Sequence, residues 1–383
     1  MRKLFEHKKD CCGCGACAAI CKAGAIAMKR DTEGFLYPSV DASRCVDCGM
    51  CEKVCPMKKG IEKLEGQQFF AVKIRSEEKR RKSQSGGLFW ALAEQILREG
   101  GHVYGAVIGA DFYVQHRKAE TIAQAEPMRG SKYVQSDTRD TFREVRADLR
   151  KGICVLYTGT PCQTAGLKSF LGALADDSRL LLVDIICAGV PSPAVHPKMI
   201  EWMERASGKK VVDFEFRDVR EAWGKVRQNY VFADGSSKTD GHFSWLFSQK
   251  LAHRESCLDC PFARPDRVSD ITIGDFWGIN SLMPEFRDEI GVSIAVLNTP
   301  RGKGAFESVQ EELIVREANW ESAMHRQPRL AGGAQNQPFP GRRKAFWSDF
   351  SKKPMEKVLR KHTPYGGIPF RVRRKILITL RRW

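Results

Sequence analysis

The sequence predicts an α/β protein with a small cysteine-rich domain at the N-terminal end and a body of mixed β-sheets and helices behind it. Three observations carry that expectation. The 383-residue chain is too long for one small core, so two or three domains are expected. Eight of its 14 cysteines fall into two blocks of identical spacing before residue 56. From residue 69 onward, short apolar and β-branched runs alternate with segments of helical period, as in α/β folds.

The cysteine blocks come first. Cys11, Cys14, Cys17 and Cys21 form a C-x2-C-x2-C-x3-C run, and Cys45, Cys48, Cys51 and Cys55 repeat it, with Pro56 following. That run is the pattern of bacterial two-cluster ferredoxins, in which the fourth cysteine of each block ligates the other cluster. The expected ligand sets for two 4Fe–4S clusters are therefore Cys11, Cys14, Cys17 and Cys55, and Cys45, Cys48, Cys51 and Cys21. Small residues fill the gaps (Gly13, Gly15, Ala16, Ala18, Gly49), where backbone must approach sulfur and donate N–H bonds to it. Two tetrahedral zinc sites would not need three cysteines at two-residue intervals followed by a fourth. Lys22 stands where a proline usually follows the fourth cysteine, with no effect on ligation expected. Cys12 is surplus and reads as a non-ligand thiol beside a cluster.

The linker Lys58–Gln68 is polar. Phe69–Ile74 reads as a strand, and Ser85 as the N-cap of a helix running to Leu97. Gly100 and Gly101 end that helix, and His102–Gly109 returns as a strand. Ile153–Tyr157 is a strand leading into a helix from Gln163 to Leu171. Leu180–Cys187 is another, leading into a helix from Val195 to Ala206. Further strands are expected near Val211–Phe216, Val226–Phe232, Asp270–Ile273 and Val292–Leu297. The domain boundaries expected are 1–60 for the cysteine-rich domain, 69–150 and 151–320 for two parts of the body, and 321–383 for a basic tail. Three loops, Ser83–Gly87, Thr158–Gln163 and Cys187–Pro193, lie where a strand gives way to a helix, the usual ligand edge of an α/β sheet. A Ser-Gly-Gly start is also an ordinary helix cap.

Five cysteines remain. Cys154 sits in an apolar strand and reads as core. Cys162, Cys187, Cys257 and Cys260 make four, enough for one further four-thiolate site. Spacing favours a third 4Fe–4S cluster there but leaves zinc and unligated thiols open, because a C-x2-C pair suits both metals.

Composition narrows the function classes. Thiols in a cytosolic chain are kept reduced, so metal binding is expected rather than disulfides. No apolar run approaches the roughly 18–20 residues of a membrane span, and MRKLFEHKKDCC lacks a signal core, so a cytoplasmic location is expected. The net charge of +17 is uneven: residues 321–383 hold 16 Lys/Arg against 3 Asp/Glu, leaving +4 for the rest. A basic tail on a near-neutral body argues against a nucleic-acid binder. Within it, Arg371–Trp383 places Ile376, Leu380 and Trp383 at helical spacing among arginines. That suits an interfacial helix on anionic lipid, at the inner face of the membrane, or a solvated or partner-docking terminus. No Ser-His-Asp or paired-carboxylate arrangement points to hydrolysis.

Several blocks together resemble one family. SQSGG, RGSKYVQS (Arg129–Ser136), GTPCQTAGLK (Gly159–Lys168), DIICAGVPSP (Asp184–Pro193) and CLDC…SDITIGDFWG, with DTEGFLYP (Asp31–Pro38) between the cysteine blocks, are similar to the coenzyme F-420 hydrogenase/dehydrogenase beta-subunit family. The resemblance covers about residues 1 to 320. That family includes the deazaflavin-reducing subunits of archaeal hydrogenase and formate dehydrogenase, 7-hydroxymethyl chlorophyll a reductase, and bacterial members that accompany polysaccharide-synthesis genes. It implies FAD bound in mixed-sheet α/β flavin domains, with contacts from Ser85, Gly86, Gly87, Ser131, Lys132, Tyr133, Gln135, Thr160 and Gln163. It also favours a third cluster on Cys162, Cys187, Cys257 and Cys260. Lys132 suits a flavin's negative charge, though an ordinary solvated lysine is the plain alternative. Ala188 departs from the histidine frequent in the family after this cysteine, which puts a proton-transfer role for that position in doubt. Asp275 and Trp277 either line an acceptor pocket or form a structural turn. The implied activity passes electrons from a ferredoxin-type donor or redox subunit through the clusters to FAD. A small-molecule acceptor, deazaflavin-like or from a polysaccharide pathway, would take them up. The alternative is a non-catalytic electron-transfer subunit of a larger complex.

Overall fold

The structure is a computed structural model that describes residues 4–218, 220, 223–332, 338 and 341–365. The arginine-rich segment Arg371–Trp383, and with it the membrane-surface expectation, lies outside the described residues. Among the described residues no helix is long and apolar enough to cross a membrane.

The doubled cysteine block folds as a doubled structure. Each block opens a short helix, Ala16–Ile20 and Met50–Lys53, and each helix is capped by a left-handed glycine, Gly15 at φ 81° and Gly49 at φ 74°. Two residues before each, Gly13 (φ 71°) and Asp47 (φ 53°) are left-handed too. Paired left-handed residues turn successive amides toward one side, which a chain wrapping an anionic cluster requires. Between the blocks, β1 (Ile26–Arg30) and β2 (Leu36–Val40) form an antiparallel hairpin.

The body holds β3 (Gln68–Ile74), β4 (His102–Ile108), β5 (Val114–Ala119), β6 (Val155–Gly159) and β7 (Leu180–Ile185). A small antiparallel sheet follows, of β8 (Val211–Glu215), β9 (Gln228–Phe232) and β10 (Ser237–Asp240). β11 (Ile271–Asp275), β12 (Ser293–Leu297) and β13 (Leu313–Ala318) complete an eight-stranded mixed sheet of order β13-β3-β12-β11-β7-β6-β4-β5. Its centre, β11-β7-β6-β4, is parallel, and the flanking pairs are antiparallel. Continuous apolar runs such as Leu180–Val183 mark strands covered on both faces. Alternate side chains serve two cores. Leu156, Leu181 and Val183 pack against helix Leu88–Arg98, while Val155, Tyr157, Leu180 and Leu182 pack against helices Thr141–Arg150 and Pro161–Leu171. The expected break at 150/151 therefore falls inside one sheet, since β3 to β5 pair with strands from beyond it.

Two sequence readings need correction. The cap of helix Leu88–Arg98 is Gly87, at φ 89°, not Ser85. Ser85 Oγ instead lies 3.1 Å from Ser293 Oγ, which also accepts from the Gly86 amide at 2.9 Å. A Cβ on Gly86 would stand 2.1 Å from the Val72 carbonyl, so the loop is pressed backbone-to-backbone onto β3. The expected basic tail is also partly core. Helices Arg342–Lys352 and Met355–His362 bury Phe346, Phe350, Val358 and Leu359 in one apolar cluster with helix Val195–Ser207 and the small sheet.

Candidate redox site

Cys11, Cys14, Cys17 and Cys55 line one cavity, together with Cys12, Cys51 and the apolar Phe5, Met28 and Met57. The last cysteine of the second block thus joins the first three of the first block. Backbone amides of Gly13 and Ala18 bond Cys11 and Cys17, and the Ala25 amide donates to Cys21 Sγ at 3.3 Å. Amide donors to sulfur favour thiolate, the form that binds iron. Burial first, then Cys11 and Cys55, push the Cys17 thiol up to about 12, and burial raises Cys11 as well. Of the other expected set, Cys21, Cys45 and Cys51 are half-buried and Cys48 is exposed.

The remaining group is assembled from three separate places. Cys162 lies in the first turn of the helix after β6, Cys187 follows β7, and Cys257 and Cys260 lie on and after the short helix Glu255–Leu258. They are near one another. Burial, then Cys162 and Cys260, push Cys187 up to about 12, and Cys257 is raised by burial and then by Cys187, Cys162 and Cys260. Amides of Gly189 (3.4 Å), Val190 (3.5 Å) and Phe262 approach Cys187, Cys257 and Cys260 respectively. Among the described residues no three His, Cys, Asp or Glu side chains converge closely enough to hold one metal ion. Ligands of a four-iron cluster surround a body several ångströms across and need no such convergence. Cys12, in direct contact with Cys14 and Cys162, lies between this group and the first cavity. Cys154 is half-buried at the foot of β6.

A cavity of about 630 Å³ opens beside Cys187. The loops expected at the ligand edge form its walls, and it takes in Ser85, Gly87, Ser131, Lys132, Tyr133, Thr160 and Gln163. Gly86 and Gln135 do not line it. Gln135 is committed elsewhere, donating to the Cys12 carbonyl at 2.8 Å and accepting from Arg254 at 2.9 Å. Thr160 and Gln163 form a capping box, and Gln163 also donates to Ser136 Oγ at 3.0 Å. Lys132 Nζ donates to the carbonyls of Pro127 (2.6 Å), Arg129 (2.8 Å) and Gly130 (3.1 Å). Burial pushes its pKa down to about 7, and those carbonyls act the other way by favouring the charged form. Asp275 and Trp277 line the cavity as well. Asp275 is held by Arg217 at 3.0 Å and by Trp223 Nε1 at 3.1 Å, while Trp223 stacks on Trp277 at 5.4 Å. Cys187 and Ala188 belong to the wall as well. The histidine beside the thiols is His253, buried with its ring against Phe247 and near Gly189.

Several residues that join the two halves were not singled out in the sequence. Thr138 Oγ1 donates to the Cys14 carbonyl at 3.0 Å, and Arg143 donates to the carbonyls of Ala18 (2.8 Å) and Ala19 (3.0 Å). Arg343 pairs with Glu33 of the hairpin, and Arg254 donates to the carbonyls of Cys11 (2.9 Å) and Leu36 (3.0 Å). Isolated polar residues in helices and loops carry no periodic signal of such a junction.

Comparison with known proteins agrees with this architecture. Residues 154–322 match the family model for the C terminus of the coenzyme F420 hydrogenase/dehydrogenase beta subunit, and residues 10–59 match the 4Fe-4S dicluster domain. The F subunit of F(420)H(2) dehydrogenase from Methanosarcina mazei is 23% identical over 227 residues, 56% of this chain. The match spans 63% of that relative's length. The F420-reducing [NiFe] hydrogenase complex from Methanosarcina barkeri contains a chain with a TM-score of 0.44 and 16% identity. That likeness covers 73% of this chain and 98% of that one. Over residues 154–322 the chain is therefore similar to the C-terminal region of the coenzyme F420 hydrogenase/dehydrogenase beta-subunit family, behind a region that matches the 4Fe-4S dicluster domain.

Proposed function

We propose that this protein is an iron–sulfur flavoprotein oxidoreductase. It would take electrons from a ferredoxin-type donor or redox subunit and deliver them to a small organic acceptor, deazaflavin-like or sugar-derived. The observation that carries the reading is the double position of Cys187. It belongs both to the four-thiol group and to the wall of the 630 Å³ cavity. In this reading Cys162, Cys187, Cys257 and Cys260 hold a third 4Fe–4S cluster, and the cavity holds FAD.

The donor set fits a cluster, since three of the four thiols have an amide donor. The cavity fits a flavin, since its wall combines loop residues such as Gly87, Gly130 and Gly159 with aromatic side chains such as Tyr133, Trp245 and Trp277 and with Lys132. Bound there, a flavin supplies the exchange between single electrons and a transferable electron pair. The chain's own residues provide the setting. Lys132 offers positive charge, Gln163 and Thr160 stiffen the loop bearing Cys162, and Trp277 with Asp275 and Arg217 shapes the end open to an acceptor.

The relative from a dehydrogenase supports a second reading, in which the chain transfers electrons only within a larger complex. Anaerobic reconstitution with iron, sulfide and FAD separates these possibilities. The expected product holds about 12 iron atoms per chain, for three 4Fe–4S clusters, retains flavin on desalting, and reduces a deazaflavin or nucleotide-sugar acceptor. A chain that binds no flavin would sink the proposal. Bound flavin without turnover, restored by a partner protein, would favour the second reading.

A further inference from the structure

Arg254 is fully buried, yet no described carboxylate pairs with it; the adjacent Glu255 faces Arg343 at 3.8 Å. Its donors end on neutral oxygens and one sulfur. Nε donates to the Cys11 carbonyl at 2.9 Å and Nη1 to Gln135 Oε1 at 2.9 Å, while Nη2 donates to the Leu36 carbonyl at 3.0 Å and to Cys11 Sγ at 3.6 Å. Tyr37 and Phe35 cover the guanidinium, with ring centroids at 4.1 and 5.4 Å. The contact with the cysteine loop is tight enough to require glycine. Gly13 is left-handed at φ 71°, and a Cβ there would stand 2.8 Å from Nη1. Cys162 and Cys257, on the other side, feel the same charge.

A guanidinium buried without a counter-charge is strongly unfavourable. Among the described residues, the anions that its surroundings can supply are thiolates. We infer that Arg254 is a positioning residue that raises the reduction potential of the cluster held by Cys11, Cys14, Cys17 and Cys55 above that of its partner in the dicluster domain. A fixed cation in a low-dielectric interior stabilises whichever state carries more negative charge, and that is the reduced one. The partner cluster's ligands include the exposed Cys48, and the hydrogen bonds of Arg254 described above all end on other residues. The dicluster domain is thereby graded, with the lower potential at its surface and the higher potential facing the body. The inference rests on the ligand sets of the proposed function.

The test is a redox titration of the reconstituted full chain followed by electron paramagnetic resonance, with iron content measured on every sample. R254Q removes the charge, and R254K keeps it without the fork. Gln135→Glu changes almost no volume and sets a carboxylate against Nη1, neutralising the charge in place should R254Q fold poorly. The expected result in R254Q and in Q135E is a tenfold or larger fall in the reduction equilibrium of the cluster held by Cys11, Cys14, Cys17 and Cys55. For a one-electron couple with no bond change that is about 59 mV. The third cluster, whose Cys162 and Cys257 feel the same charge, should move in the same direction. The other dicluster-domain potential should stay put, and R254K should remain close to the unmodified protein. Full iron content with unmoved potentials in both R254Q and Q135E would overturn the inference, as would an equal shift of every cluster. Iron content of the unmodified chain reports separately on the third cluster, so failure of that reading and failure of this one are distinguishable.

Discussion

Cys12 follows the proposed cluster ligand Cys11 in the chain, while its thiol touches Cys14 and Cys162. Spacing excludes it from the dicluster pattern, and the fold puts it between two proposed ligand sets instead of beside one. Cys12→Ser is therefore expected to leave iron content unchanged. Cys162→Ser, which removes a proposed ligand, should lower it by about 4 iron atoms per chain, as a colorimetric iron assay would read. Equal losses from both variants would make Cys12 a ligand. At this scale the 4Fe-4S dicluster domain was legible because the identity and spacing of its cysteines carry the chemistry. Ser85 was misread because a serine before two glycines has the form of a cap. What decided otherwise was the approach of Gly86 to the Val72 carbonyl, a contact that the order of residues in the loop does not reveal.

Helix Val195–Ser207 brings His196 into the aromatic core, with ring centroids 4.3 Å from Phe214 and 4.7 Å from Phe216. Its Nδ1 donates to the Phe112 carbonyl at 2.7 Å, and burial lowers its pKa to about 4. His116, on β5, is likewise lowered to about 4, chiefly by burial. Both folded-state values lie below that of an unfolded histidine, so the unfolded chain binds more protons between them. Stability contributed by neutral imidazole is complete above about pH 6.5 and is lost as pH falls toward about 4. Denaturation midpoints measured across that window should fall with pH. His196→Phe should flatten the dependence relative to the unmodified chain, and an unchanged slope would remove His196 as its source. Eight of the 13 strands among the described residues were legible within a few residues, because buried central strands such as β7 and β12 are continuously apolar. β5 and β13 were not, since edge strands such as VQHRKA and LIVREA mix charge with apolar residues and show no clean period.

The molecule is held together across its two cysteine regions by polar side chains set into an apolar junction. Arg343, from a helix beyond residue 340, donates to the Glu33 carboxylate of the β1–β2 turn and to the His253 carbonyl at 3.0 Å. Arg343→Met is expected to cost about 2 kcal/mol, the scale of hydrogen bonds to charged groups. It should also speed amide exchange in residues 31–36, which chemical denaturation and hydrogen-exchange measurements would reveal. Unaltered exchange there would show that the pair does not dock the hairpin.

By itself the sequence determined the dicluster domain, the alternation of strands and helices, and the three loops that form much of the large cavity's wall. Each of these is local: the spacing within each cysteine block runs over a few residues, and strand and helix periods repeat over short windows. Only the tertiary structure brought Cys162, Cys187, Cys257 and Cys260 together, set Cys187 in the cavity wall, drew part of the basic segment into the core and buried Arg254 beside Cys11. Those placements depend on contacts between residues as much as 310 positions apart, and no local pattern encodes them.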